Sequence, residues 1–144
     1  MTIELQKAEK SDISTIKDIL KENKLPFQDV GTNNINFFLA YEDADFIGII
    51  GLEKFPEIAL LRSMAVMKKF RGNGYGKKIC AHLLEIAKQE GINEVFLLTC
   101  DAKDFFAKLG FKVIERKNVH EIIQSTTEFS SLCPVYAVCM KINL

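Results

Sequence analysis

The sequence predicts a single mixed α/β domain, and three observations predict it. Three apolar runs between residues 35 and 66 follow one another through short turns, a spacing that suits antiparallel strands. A stretch of helical period, residues 75–89, begins directly after a glycine-rich turn. Strand, helix and strand runs then alternate to residue 114, the order of a right-handed parallel crossover. The chain of 144 residues has the length of one domain, with no repeat, linker or low-complexity segment to divide 1–144.

Taken in order, Ile3, Leu5 and Lys7 alternate with polar positions as a short first strand. Ser11 is placed to cap a helix whose apolar stripe is Ile13, Ile16, Ile19 and Leu20, and Pro26 ends that segment. Asp29 to Asn34 is turn chemistry. Strands are expected over 35–41, 44–54 and 57–66, with turns at Glu42-Asp43 and Phe55-Pro56. The helix 75–89 carries Tyr75, Ile79, Leu83, Ile86 and Ala87 on one face, and Gly91 is its stop signal. A buried strand 95–99, a helix 102–109 closed by Gly110 and a strand 111–114 follow. The remainder reads as a short helix (119–124), a polar loop to Pro134 and a last strand 136–142.

Composition excludes several functions. Lys+Arg and Asp+Glu are both 19, so no basic excess exists to displace counterions from nucleic acid or to hold an anionic membrane. An apolar share of 48% is too high for disorder, and no run approaches the roughly 20 residues that span a bilayer. The first residues lack the pattern of an export signal, which leads us to expect a cytoplasmic protein with reduced, buried cysteines. No Cys-x-x-Cys pair occurs, and neither His82 nor His120 sits at zinc-ligand spacing, so no metal is expected.

The segment Ala65-Val-Met-Lys-Lys-Phe-Arg-Gly-Asn-Gly-Tyr-Gly-Lys-Lys78 runs from strand through glycine loop into helix. Glycines 72, 74 and 76 let backbone N–H groups converge, and the helix start adds partial positive charge, so an anion such as a pyrophosphate is expected at residues 71–77. A P-loop would need Gly at 71 and Ser or Thr at 78, where Arg71 and Lys78 stand; a dinucleotide loop would need Gly in place of Lys77.

Arg71-x-x-Gly74-x-Gly76 resembles the acetyl-CoA signature of the GNAT N-acetyltransferases. Leu60 to Val66 looks like that family's fourth strand, and Ala102-Lys-Asp-Phe-Phe-Ala-Lys-Leu-Gly-Phe111 looks like its second signature. The resemblance implies a mostly antiparallel central sheet with helices on both faces, splayed between the fourth and fifth strands. It further implies acetyl-CoA as co-substrate. Backbone groups of Met64, Ala65 and Val66 would meet the pantetheine arm and thioester; amides of Arg71, Gly72, Asn73, Gly74, Tyr75 and Gly76, with Lys77, would hold the pyrophosphate; Thr99 and Phe106 would border the slot.

Acetyl transfer needs a neutral amine, a polarised carbonyl and a leaving thiol. Where family members often carry a tyrosine acid this chain has Phe106, and where they often carry an asparagine it has Thr99. Cys100, Thr99, Tyr75 and Tyr136 are the substitutes considered as acid. Glu53 and Glu57 are the candidate bases, with solvated turn carboxylates as the alternative for both. His82 and His120 are weaker candidates, and a proximity mechanism with water as base is also open.

For the acceptor, Arg62 stands in an apolar strand, expected on one face with Met64 and Val66. Its guanidinium would bind an anionic acceptor, or else pair internally with Glu53, Glu57 or Glu94. The tail containing Glu-Phe-Ser-Ser-Leu-Cys-Pro134 looks like that of the arsenic-resistance subgroup, which is associated with arsinothricin-type, glutamate-like amino acids. Ser130, Ser131 and Cys133 would then sit in a loop over the acceptor, with ordinary loop hydroxyls and a buried thiol as the alternative. Ser63 beside Arg62 is a further substrate-binding candidate. The reading is an N-acetyltransferase of a small, anionic amino-acid-like amine. A catalytically silent acyl-CoA sensor and a protein N-terminal or lysine acetyltransferase remain the alternatives, and pairing of an exposed final strand would give a homodimer.

Overall fold

The computed structural model describes residues 3–31, 34–132, 134 and 136–144. Seven strands form one sheet: β1 (Ile3–Lys7), β2 (Ile35–Glu42), β3 (Asp45–Lys54), β4 (Ile58–Val66), β5 (Glu94–Thr99), β6 (Lys112–Val113) and β7 (Val138–Asn143). Their spatial order is β1-β2-β3-β4-β5-β7-β6. All neighbours are antiparallel except β4 and β5, which the helix α2 (Tyr75–Gln89) joins as a parallel crossover. The expected mixed sheet is therefore present. The last strand is not the edge of the sheet: β7 lies between β5 and the two-residue β6, which pairs with its Met140 and Lys141, and the sheet ends at β1 and β6.

Helices cover both faces, each through an apolar stripe of helical period. On one face α2 buries Ile79, Cys80, Leu83 and Ala87 among Phe38, Ile50, Leu52, Leu61, Val95 and Leu97. A short helix, α3 (Lys103–Lys108), adds Phe106 to the same cluster. On the other face α1 (Ile13–Glu22) buries Ile16, Ile19 and Leu20 against Phe37, Leu39, Ile49 and Ala65. A third cluster joins Leu60 and Phe96 to Ile123 of α4 (Glu121–Gln124) and to Phe129.

Local departures from expectation have local causes. The chain enters α1 through a 3-10 turn (Lys10–Asp12), where Asp12 rather than Ser11 closes a capping box with Glu9; the Glu9 amide donates to Asp12 Oδ2 at 2.9 Å. The expected polar loop before Pro134 contains a π-helical turn, Glu128–Leu132, because Phe129 and Glu128 are drawn into the interior. Among the cysteines, Cys80 and Cys139 are buried as expected but Cys100 is exposed. Burial pushes the Cys80 thiol up to about 12, so it packs as a neutral apolar group. No helix among the described residues is long and apolar enough to cross a membrane.

The main irregularity is in β4. From Gly51↔Arg62 to Ile49↔Ala65, β3 advances two residues while β4 advances three. The extra residue is taken up where Ser63 adopts a left-handed φ of 60°. A one-residue slip exchanges the faces of everything beyond it. Met64 and Val66 therefore pack on the α2 side and Ala65 on the α1 side, so the expectation that Arg62 shares a face with Met64 and Val66 is overturned. Gly48 of β3 allows the close approach beyond this bulge: a Cβ there would lie 2.3 Å from the Ala65 carbonyl oxygen. Gly48→Ala should cost about 2–3 kcal/mol, an overpacking penalty against backbone, measured as a lowered urea midpoint with unchanged m.

Candidate functional site

The bulge opens the site. β4 and β5 pair only from Ile58↔Glu94 to Leu60↔Phe96; beyond that point they diverge, while β5 remains paired with β7 to Thr99. In an extended strand, alternate N–H and C=O groups point to opposite edges, so residues 61–66 and 97–99 turn backbone donors and acceptors into the gap. A cavity of about 740 Å³ occupies it. Leu61 to Met64 form one wall and Leu97 to Ala102 the other, with the α1–β2 connection and the C-terminal segment closing the remaining sides.

β4 leads into a short 3-10 turn and then the glycine loop. Gly72 and Gly74 have φ of 82° and 80°, and a Cβ at either would meet nothing within 4 Å, which leaves open space over the backbone. The first hydrogen bond of α2 runs from the Lys78 amide to the Gly74 carbonyl at 3.3 Å, so the amides of residues 75–77 have no helical acceptor. Lys77 and Lys78 are exposed beside them, and free amides of this kind next to cations suit an anion. Arg71 shapes the loop: its Nε donates to the Val66 carbonyl at 3.0 Å and its Nη2 to Asn23 Oδ1 at 2.6 Å. Asn73 Nδ2 donates to the Arg71 carbonyl at 3.2 Å. On the inner side, a Cβ at Gly76 would sit 3.2 Å from the Phe105 ring, so glycine lets α3 pack against the start of α2. A slot edged by the diverging strands β4 and β5, leading to such amides, has the chemistry to take an extended amide-rich arm that ends in a diphosphate.

Arg62 is 2% exposed and surrounded by carboxylates. Its Nη1 and Nη2 bind Asp29, with Nη2 to Asp29 Oδ1 at 2.6 Å; Nη1 also reaches Glu53 Oε1 at 3.4 Å. Its Nε lies 3.0 Å from Ser63 Oγ and 3.2 Å from Glu128 Oε2. Burial opposes the cation, but the Asp29 hydrogen bonds and the charges of Glu128, Asp29 and Glu53 outweigh it and raise the Arg62 pKa. The fork expected to hold an anionic acceptor is thus engaged internally, with Glu53 as one partner and without Glu57 or Glu94. Asp29 and Glu128 are the partners of Arg62 that the sequence did not reveal. Each lies more than thirty residues from Arg62 in the chain, with no local motif to connect them.

The other expected residues divide between the cavity and elsewhere. Ser63, Met64, Thr99, Cys100, Phe106 and Tyr136 line it. Thr99 Oγ1 accepts from the Ala102 amide at 3.0 Å, and Tyr136 is 75% exposed. Glu53 is buried behind Arg62 rather than on the cavity wall; burial raises its pKa, opposed by Arg62 and by a hydrogen bond from Asn34. Glu57 is exposed in the β3–β4 turn, about 20 Å along the strand from Met64, too far to act as base. Tyr75 donates its hydroxyl to Glu42 Oε1 at 2.8 Å, and that bond raises its pKa, so it stands apart from the cavity as an acid. Ser131 Oγ donates to the Thr127 carbonyl at 3.0 Å and is not on the cavity wall. His120 Nδ1 caps α4 by accepting from the Ile122 amide at 3.2 Å. Cys133 lies outside the described residues. Among the described residues no group of three or more His, Cys, Asp or Glu could hold a metal ion.

Arg62→Met should cost about 3–5 kcal/mol in urea denaturation, because it leaves three buried carboxylates without their cation. Glu53 has its pKa raised above 4.5, so between the unfolded and folded values the native state binds the proton more readily than the unfolded chain. Its contribution is full below pH 4.5 and is lost as pH rises through the folded value. The wild type should therefore lose stability relative to Glu53→Gln as pH climbs above 4.5, which paired urea titrations across pH will show.

The family model described as Acetyltransferase (GNAT) family matches residues 4–111. An uncharacterized N-acetyltransferase of Chlorobaculum tepidum is 34% identical over 83 residues, covering 57% of this chain and 53% of that protein. An amino-acid acetyltransferase of Neisseria meningitidis serogroup A is 28% identical over 92 residues, 62% of this chain and 21% of that protein. The chain thus spans about half of the first relative and a fifth of the second. Among solved structures, N-acetylglutamate synthase of Neisseria gonorrhoeae with coenzyme A and N-acetyl-glutamate superposes with a TM-score of 0.82 at 20% identity, covering 100% of this chain and 35% of that one. A Mycobacterium tuberculosis protein in complex with CoA gives 0.75 at 24% identity, over 98% and 99% of the two chains. These superpositions bear on the fold, and the family match, over three quarters of the sequence and both of its motifs, settles kinship: the chain belongs to the acetyltransferase (GNAT) family.

Proposed function

We propose that the chain is an acetyl-CoA-dependent N-acetyltransferase that acetylates the primary amine of a small, amino-acid-like substrate by direct attack. The observation that carries this reading is the pair formed by the β4–β5 slot and the amide cradle at residues 72–77. The co-substrate supplies an acetyl thioester. The chain's own part is to align it and exclude alternatives: strand edges at Met64 to Val66 offer N–H groups to the carbonyl oxygen, and the amides and Lys77 offer charge complementarity to the diphosphate. The amine nitrogen bonds to the carbonyl carbon, the carbon–sulfur bond breaks, and the amine's proton passes to water in the open cavity. A thiol of pKa about 8.5 leaves as thiolate without a strong acid, which accommodates Phe106 in place of tyrosine.

The relative named as an amino-acid acetyltransferase supports an amino acid as acceptor. The resemblance of the Glu128–Pro134 segment to the arsenic-resistance subgroup puts glutamate-like amino acids, including the arsinothricin type, first among acceptors to assay. Calorimetric titration should show acetyl-CoA binding, and amino acids should release free thiol from it. Binding without release for any amine would favour the silent-sensor reading.

Lys77→Glu should weaken coenzyme A binding about tenfold or more by charge reversal at the cradle, while thermal melting stays at or above wild type because a carboxylate suits a helix N-terminus. Cys100→Ser combined with Tyr136→Phe should keep kcat within about tenfold of wild type, since neither is needed to expel the thiolate; a larger loss would assign one of them as the acid.

A further inference from the structure

Three helices of this chain end in the same way. After α2, the Ile92 amide donates to the Ala87 carbonyl at 3.0 Å, with Gly91 between at φ 87°. After α3, the Phe111 amide donates to the Phe106 carbonyl at 3.1 Å, with Gly110 at φ 106°. After α1, the Leu25 amide donates to the Leu20 carbonyl at 2.9 Å and the Lys24 amide to the Lys21 carbonyl at 3.1 Å, but the left-handed residue is Lys24, at φ 57°. Glycine is favoured at this position because a Cβ is strained there. The chain therefore uses lysine at the end of α1 where α2 and α3 use glycine.

Lys24 also lines the cavity, on the side closed by the α1–β2 connection. Two other cations do so. Arg62 is enclosed by Asp29, Glu53 and Glu128, and Lys21 holds its Nζ 4.8 Å from the centre of the Phe27 ring. Among the described residues Lys24 Nζ has neither an ion pair nor a hydrogen bond, and its side chain is exposed at the cavity rim.

Building on the acetyltransferase reading, we infer that Lys24 is the specificity-determining cation of the acceptor site, holding the carboxylate of an α-amino acid while its amine enters the β4–β5 slot. The strain at φ 57° is kept because it aims an ammonium into the cavity from the end of a rigid helix. Arg62 instead fixes the floor on which the acceptor rests.

The test compares the twenty L-α-amino acids with their α-amides, which keep the amine and lose the negative charge. Wild type should prefer the free acid of its best substrate, and Lys24→Gly should cut the acid-to-amide ratio of kcat/KM about tenfold or more through KM, with the KM for acetyl-CoA unchanged. Lys24→Arg should retain most of the ratio. Calorimetric binding of the N-acetylated amino acid in the presence of coenzyme A should weaken in parallel. Lys24→Gly should melt no lower than wild type, because glycine suits this backbone, so a loss of preference cannot be a loss of fold. Turnover of amino acids with an unaltered ratio overturns the role of Lys24 and leaves the enzyme reading intact; a wild type that releases no thiol with any acid or amide overturns both.

Discussion

One extra residue in β4 governs the architecture of the site. The bulge at Ser63 bends the strand after Leu60, and the bend separates β4 from β5. Two consequences follow from the same displacement. Backbone groups that a regular sheet would pair are left facing a gap, and the strand's end is redirected toward the glycine loop. A splayed parallel pair is costly unless something polar fills the gap, because buried N–H and C=O groups need partners. An extended arm rich in amide groups meets that requirement, which is why the fold and the co-substrate make physical sense together.

The Arg62 cluster holds that bulge in place. Asp29 comes from the α1–β2 connection, Glu53 from β3, Glu128 from the π-helical turn and Arg62 from β4 beside the strained Ser63. The two strands of one hairpin and two segments remote from it in sequence are thus tied at one buried point. Ion pairs of this kind add little net stability relative to apolar packing, but removing one partner is severe. Their effect is geometric: they fix the cavity floor relative to the slot. Gly48 completes the arrangement by letting β3 approach the displaced strand more closely than any side chain would allow.

Local patterns in the sequence carried most of the fold. The boundaries of α2, the strand runs and the glycine stops at 91 and 110 rest on periodicity and backbone preference, and both survive folding with little change. The conformation of the glycine loop was legible for the same reason, since Gly72 and Gly74 take the positive φ that glycine favours. The acceptor side was not. The slip at Ser63 reversed the faces of Met64 and Val66, which no alternation pattern reports before the pairing is known. Arg62 was recognised as a costly charge, yet two of its three partners come from remote loops. Nothing in the local sequence marks Lys24; its φ and its place on the cavity rim set it apart. Glu57 looked close to the key strand in sequence but sits at its wrong end.

The most direct test of the account is a titration of isotope-labelled protein with coenzyme A, followed by amide resonances. The account predicts that the largest shifts fall on Gly72 to Lys77 and on Met64 to Val66, with β1 and β2 almost unmoved. Shifts that bypass both the loop and the β4 edge would contradict it.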